Sequence, residues 1–438
     1  MTKRKVLILS GVVLLAMLVG AAGALQAKRT EDAQDEALYK ELELFTDALS
    51  IVQGDYVEQP EAKQLIYGAL KGMLGTLDPY SQFLDPDSYN ELKVDTEGQF
   101  GGLGIEITLK DDLLTIITPI DDTPAQRAGL RPGDRIVKID GEITRGITLL
   151  DAVKKLRGKP STKVTLTILR DGENELKDYV LARDIVKIQS VREARILGDK
   201  IGYLRLSDFR EGTPRDMEMA VDQLKAQQMD SLILDLRNNP GGLLDVSVSV
   251  AELFLDKRQL IVSTKGRLRN QNFEFRSRRD GSAKNYPLVV LINEGSASAS
   301  EILAGAIQDH HRGVILGTKS HGKASVQTIF PLKDGSALRL TTSKYFTPAG
   351  RSIHGHGIDP DVVVPYEEPP APKADESKGP KAKDVFEKVE HPESTGKPSE
   401  LVIDNQLARA IDLLKGLRVY QALKSDQPEE TAKAVGKL

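Results

Sequence analysis

The sequence predicts an α/β core that carries an inserted β-rich domain and has helical segments at both ends. From residue 191 to about 366, short apolar runs such as 231–236 and 288–292 alternate with amphipathic stretches such as 214–227, the pattern of strands covered by helices. Residues 98–185 instead hold short β-branched runs broken by glycine turns. Residues 36–92 and 401–423 repeat apolar positions at steps of three and four.

A chain of 438 residues exceeds one simple core, so two or three domains are expected. Hydrophobic residues make up 40% and charged residues 28%, which fits a soluble globular protein. The net charge is -4 and no basic stripe stands out, so a nucleic-acid partner is not expected. There is no cysteine, which excludes a thiol nucleophile, disulfides and thiolate metal sites. The six histidines include no His-x-x-x-His pair, only adjacent His310-His311 and a His354-x-His356 in a glycine-containing loop, so neither a metal nor a cofactor is expected.

Along the chain, Lys3, Arg4 and Lys5 precede an apolar run over 6–25 that ends in small residues. Residues 1–27 therefore read as a signal peptide or a membrane anchor, and both fit. The positive flank places the rest of the chain outside the cytoplasm, periplasmic, secreted or anchored. Residues 36–97 read as a helical region, with Leu42, Leu44, Phe45, Ala48, Leu49 and Val52 at helical steps and a second helix over 60–74. Leu77-Asp78-Pro79-Tyr80-Ser81 stops that helix in a turn.

In the β-rich domain, Gly101-Gly102-Leu103-Gly104-Ile105 is a glycine loop entering a strand. Thr123 and Pro124 open a short helix as N-cap and N1, and Gly129 ends it. Residues 135–139 and 164–169 read as strands, and 148–157 as a helix with Thr148 and Asp151 spaced as in a capping box. In the α/β core, 200–206 and 231–236 read as strands, 214–227 and 243–254 as helices, and 337–346 as a hairpin arm after Asp334-Gly335. Residues 367–400 are rich in Pro, Lys, Glu, Asp and Ser and read as a disordered linker. Residues 401–424 read as a C-terminal helix.

The chemistry concentrates after residues 288–292. Asn293-Glu294-Gly295-Ser296-Ala297-Ser298-Ala299-Ser300-Glu301-Ile302 joins a buried strand to a helix. Such an elbow exposes a hydroxyl beside unpaired helix N-terminal N–H groups, which can hold an oxyanion. A serine needs a base. Lys323 lies 25 residues past Ser298 and Gln327 four further on. Read as one extended strand, Lys323 and Gln327 share a face. Burial lowers a lysine pKa enough for it to act as a base, and Gln327 can orient the amine. His321 is the rival base, in a Ser-His hydrolase. His310 and His311 fall about 18 Å down the helix.

Ser-Ala-Ser-Ala-Ser-Glu-Ile followed by Gly-Lys-x-x-Val-Gln resembles the carboxyl-terminal processing peptidases, tail-specific serine proteases that use a Ser-Lys dyad assisted by Gln. The resemblance extends over roughly residues 38–366, through Leu77-Asp78-Pro79-Tyr80-Ser81 and Asp235-Leu236-Arg237-Asn238-Asn239-Pro240-Gly241-Gly242. It implies a protease core of crotonase-like and Clp-protease-like type over 186–366. It also implies a PDZ domain over 98–185. The roles it implies are nucleophile for Ser298, base for Lys323 and assistance for Gln327. Ala299 would bind the oxyanion with Gly241 or Gly242. Gly102, Leu103, Gly104 and Ile105 would hold a substrate's terminal carboxylate, and Arg157 would make a regulatory contact with the protease core. The implied partners are protein substrates with apolar C-terminal tails, with homo-oligomerisation and membrane anchoring as further options. The rival from another class is a non-catalytic PDZ adaptor.

Overall fold

The structure, a computed structural model, describes residues 36–110, 113–120, 122–171, 173, 175–367 and 403–425. The expected signal or anchor and all but the first residue of the expected linker lie outside the described residues. The chain divides into two compact units at Asp85–Pro86, so the helical region expected over 36–97 is shared between them.

In the first unit, α1 (residues 36–55) is followed by α2 (Ala62–Gly75) and a short strand β1 (Gln82–Leu84). The helix ends at its C-cap Thr76, and Asp78 fixes the turn that follows: its carboxylate accepts the N–H of Tyr80 (2.8 Å) and of Ser81 (2.9 Å). Tyr67 of α2 packs on Phe83 of β1 with ring centroids 4.6 Å apart.

The second unit opens with α3 (Pro86–Glu97) and β2 (Gln99–Gly102). The β-rich domain runs through β3 (Ile105–Lys110), β4 (Leu113–Pro119), α4 (Pro124–Arg127), β5 (Arg135–Ile139), β6 (Glu142–Ile143), α5 (Leu149–Leu156), β7 (Lys163–Leu169) and β8 (Lys177–Ala182). Its antiparallel sheet has the order β3-β4-β5-β7-β8, with β6 on β5. Alternate residues Leu114 and Ile116, and Val164, Leu166 and Ile168, close one core with Leu103 and Leu156; Ile136 and Ile139 join them across an irregularity in β5. β9 (Asp184–Lys187) returns to pair with β2, so entry and exit strands form a two-stranded neck. The caps differ in kind. Thr148 caps α5 by accepting from Asp151 N–H (3.1 Å). Thr123 does not cap α4 with its side chain; its hydroxyl donates to the carbonyls of Ile120 (2.5 Å) and Gly104 (3.2 Å), tying the glycine loop down instead.

The α/β core comprises β10 (Val191–Leu197), β11 (Ile201–Leu206), α6 (Thr213–Ala226), β12 (Ser231–Asp235), α7 (Leu244–Ala251), β13 (Leu260–Gly266), β14 (Phe273–Arg276), β15 (Leu288–Ile292), α8 (Ala299–Asp309), β16 (Val314–Gly317), β17 (Ser325–Pro331), β18 (Ala337–Phe346) and β19 (Val362–Val363). The main sheet has the order β10-β11-β12-β15-β16-β19, with only β10 antiparallel. Its strands are apolar on both faces because both are covered. Leu232, Leu234, Val290 and Ile292 face α6, α7 and α8. Ile233, Val289 and Leu291 face Leu407, Ala410 and Leu414 of the last helix, α9 (Asn405–Ser425). Each such buried Leu or Ile stabilises by roughly 1.5–3 kcal/mol. β13, β14, β17 and β18 form a second, antiparallel layer.

Candidate active site

The main sheet delivers two chain turns to one place. β15 ends at Ile292, and α8 begins at Ala299 with Ser298 as its N-cap. Ser298 has φ 55° and ψ -113°, a conformation that costs about 1–3 kcal/mol for a residue with a Cβ. The surroundings hold it there. Ser298 N–H donates to Glu301 Oε2 (2.8 Å), and Ala297 N–H to Asn239 O (3.0 Å).

The three serines of the elbow differ sharply. Ser296 is buried and donates to Leu236 O (2.8 Å); Ser300 is buried and donates to Asn239 O (2.9 Å). Ser298 is half-buried and lines a cleft of about 500 Å³. Lys323, Gln327, Gly241 and Gly242 line the same cleft, with Arg339, Tyr345 and an apolar wall that includes Phe209, Ile302 and Val326. A larger open depression of about 1150 Å³ lies around Arg312 and holds none of these residues. The Arg312 guanidinium there is engaged by the carbonyls of Phe254, Ala283 and Tyr286.

The second turn follows β12. Asn239 is fully buried; its side chain donates to Leu206 O (2.8 Å) and accepts from Gly241 N–H (2.9 Å). Gly241 has φ 97° and lies so close to the elbow that an added Cβ would stand 2.8 Å from both Ser298 Cβ and Ala299 N. Gly242 has φ 151° and faces the open cleft. Among the described residues, its N–H and that of Ala299 have no partner. Upstream, Asp235 and Arg237 are structural: Asp235 accepts from Tyr203 Oη (2.9 Å) and from Arg237 (2.7 Å), and Arg237 reaches Asp404 (2.8 Å) and Gln406 (2.9 Å) at the start of α9.

Lys323 precedes β17 rather than lying on it, and a bulge falls between Val326 and Gln327. Simple alternation along one strand therefore does not relate Lys323 to Gln327, as the sequence reading assumed, because the bulge shifts the phase of the faces. The cleft still gathers both. Gln327 donates its side-chain amide to Ser325 Oγ (2.8 Å) and Ser325 O (3.2 Å), and Tyr345 Oη donates to Lys323 O. Burial pushes the Lys323 ammonium below the usual lysine range, the Arg339 guanidinium pushes the same way, and Glu301 opposes both.

His321 is exposed, donates its backbone N–H to Ser296 O (3.0 Å) and is not among the cleft-lining residues. His310 is held 2.6 Å from Leu260 O, away from the cleft. Among the described residues no cluster of His, Cys, Asp and Glu has a metal-holding arrangement. Two positions to which the sequence reading gives no role, Asn239 and Glu301, hold the two turns by their side chains. The spacing Ser298-x-x-Glu301 is itself a capping-box signal that marks Glu301.

In the β-rich domain, Gly102, Leu103, Gly104 and Ile105 line a small groove with Ile107, Val153 and Leu156. The carbonyls of Leu103 and Gly104 are taken inward by Ala125 N–H (3.0 Å) and Ile120 N–H (2.8 Å). Their own N–H groups have no partner among the described residues. Arg157 is the C-cap of α5; its guanidinium lies over the Phe100 ring of β2, 4.5 Å from the centroid, at the end of this groove.

The sequence profile of peptidase family S41 matches residues 200–364, that of a PDZ domain matches 115–170, and that of the activating protease CtpB N-terminal domain matches 16–88. A carboxy-terminal-processing protease of Bartonella bacilliformis is 45% identical over 368 residues, 83% of each chain. A carboxyl-terminal-processing protease of Synechocystis is 38% identical over 321 residues, 72% of this chain and 74% of the relative. Among solved structures, a photosystem II D1 C-terminal processing protease is 32% identical, with a TM-score of 0.43 and coverage of 74% of this chain and 92% of that one. The chain therefore belongs to the carboxyl-terminal processing proteases of peptidase family S41, serine-type peptidases, and carries a PDZ domain.

Proposed function

We propose that this protein is a serine endopeptidase that captures apolar C-terminal tails in its PDZ groove and cleaves its substrates near the C-terminus. One observation supports this above the others: the strained Ser298 elbow opens into the same cleft as a lysine whose burial favours the neutral amine. Lys323 takes the Ser298 Oγ proton as the oxygen attacks the scissile carbonyl. The tetrahedral oxyanion rests on the N–H groups of Ala299 and Gly242. Gly242 is favoured over Gly241 because the Gly241 N–H is already held by Asn239. As the C–N bond breaks, Lys323 returns the proton to the leaving amine. Water then attacks the acyl ester, giving Lys323 its proton, and the acid product leaves with Ser298 restored. Gln327, anchored on Ser325, keeps its carbonyl oxygen for the Lys323 amine. The elbow between a parallel strand and a helix supports a core of crotonase/Clp-protease type, and the apolar run over 6–25 supports an extracytoplasmic location.

The groove accounts for tail recognition. A terminal carboxylate would meet the unpaired N–H groups of Leu103 and Gly104, while the last side chain enters the apolar lining. Peptides ending in an apolar residue should bind the full-length Ser298→Ala protein about 10–100-fold more tightly as free acids than as amides, the worth of charge-assisted hydrogen bonds. Fluorescence anisotropy measures this; equal affinities would remove the groove from substrate capture.

Assembly rests on α1. Leu38, Leu42, Phe45, Leu49 and Val52 alternate steps of four and three, a heptad seam, and all but Leu49 are exposed. This seam pairs with a second copy of the chain. Leu42→Asp with Phe45→Asp should convert the oligomer to monomer in sedimentation equilibrium, and an unchanged mass distribution would locate assembly elsewhere.

A further inference from the structure

Glu301 stands three residues past Ser298 on the first turn of α8 and is wholly buried. A carboxylate in such a place is tolerated only when hydrogen bonds replace its water. Four donors do so, from both sides of the cleft. Oε2 accepts the N–H of Ser298 (2.8 Å) and the N–H of Lys323 (2.9 Å). Oε1 accepts Ser320 Oγ–H (2.6 Å) and Gly322 N–H (2.6 Å). A single oxygen atom is thus the meeting point of the backbones of two residues 25 positions apart in sequence.

We propose that Glu301 is a positioning residue that clamps the nucleophile elbow to the base loop and sets the approach of Lys323 to Ser298. The inference rests on the Ser298–Lys323 reading given above. The Ser298 bond holds the left-handed backbone that aims Oγ into the cleft; the Gly322 and Lys323 bonds fix where the lysine stem begins. Ser320 secures the clamp from behind, since its Oγ also accepts Ile358 N–H (2.7 Å). The carboxylate charge has a second effect. Burial and Arg339 both weaken the proton affinity of Lys323, and Glu301 opposes them. The base therefore keeps enough proton affinity to take the Ser298 proton.

Glu301→Gln in the full chain tests both parts. The amide presents NH2 to two of the four donors, so at least two bonds are lost while the volume is kept. The expected kcat falls about 100-fold, the scale of a misplaced catalytic group, with KM changed by less than about threefold. With the anion gone, the acid limb of kcat/KM moves to lower pH. Glu301→Asp keeps the charge, so its acid limb stays at the wild-type pH while kcat falls. Ser320→Ala, which leaves the carboxylate in place, should lose less than Glu301→Gln and also leave the limb unmoved. A merely structural Glu301 would lower the folded fraction and not shift the limb. A folded Glu301→Gln protein with kcat within threefold of wild type, or with its acid limb unmoved or moved upward, overturns the proposal. If Glu301→Gln fails to fold, a shifted acid limb in Glu301→Asp overturns it equally. Cleavage by Ser298→Ala would instead overturn the underlying Ser-Lys reading; an inactive Ser298→Ala beside a fully active Glu301→Gln sinks only the clamp.

Discussion

Replacing Ser298 with alanine is expected to abolish peptide cleavage, lowering kcat by about 10⁴–10⁶-fold, as removal of a serine nucleophile does elsewhere. The fold should survive, because the strained backbone is held through the Ser298 N–H on Glu301, which alanine keeps. The neighbouring serines should behave oppositely. Ser296→Ala and Ser300→Ala each remove the hydroxyl donor from a buried carbonyl, of Leu236 or of Asn239, that keeps one backbone N–H, at about 0.5–1.5 kcal/mol of stability. Labelling with a fluorophosphonate probe, cleavage assays and thermal melts together separate these effects. Retained activity in Ser298→Ala, with loss in a folded Ser296→Ala or Ser300→Ala, would move the nucleophile.

The second large effect belongs to Lys323. A general base works in its neutral form, so activity should rise with pH through the Lys323 pKa. Burial, and then Arg339, hold that pKa below the ordinary lysine value, so the acid limb should fall below the pH at which a free lysine titrates. Lys323→Arg keeps the positive charge and stays protonated, and should lose at least about 10³-fold in kcat, near the full contribution of a base acting with a serine. His321→Ala should leave cleavage unchanged, since His321 is exposed and outside the cleft lining. An active Lys323→Arg beside an inactive His321→Ala would transfer the role to histidine, and a probe-inert wild type would favour the adaptor reading.

Much of the architecture was legible because it is local. The apolar stretch over 288–292 and the small residues after it read as a strand meeting a helix, and the chain forms β15 and α8 there. Residues 337–346 read as an arm and form β18. Thr148 with Asp151 read as a cap and makes one. Strand β13 escaped notice because its Leu-Ile-Val-Ser-Thr run does not alternate, and β14 because it alternates over only four residues; the neck was hidden because β2 and β9 are 82 or more positions apart.

Periodicity, glycine turns and residue type, all carried by neighbours in sequence, are enough to mark the order of strands and helices, a small-residue elbow bearing three serines, and a lysine and glutamine downstream. Which serine opens to the cleft, which glycine N–H stays unpaired, and where the base stands relative to the nucleophile are different in kind. These depend on partners far along the chain: Leu236 and Asn239 for the buried serines, Leu206 for the Asn239 side chain that takes the Gly241 N–H, and Glu301 for the loop of Gly322 and Lys323. A hydrogen bond is assigned by direction and distance in space, so only the packed sheet, which brings the ends of β12 and β15 side by side, decides among residues that the sequence leaves equivalent.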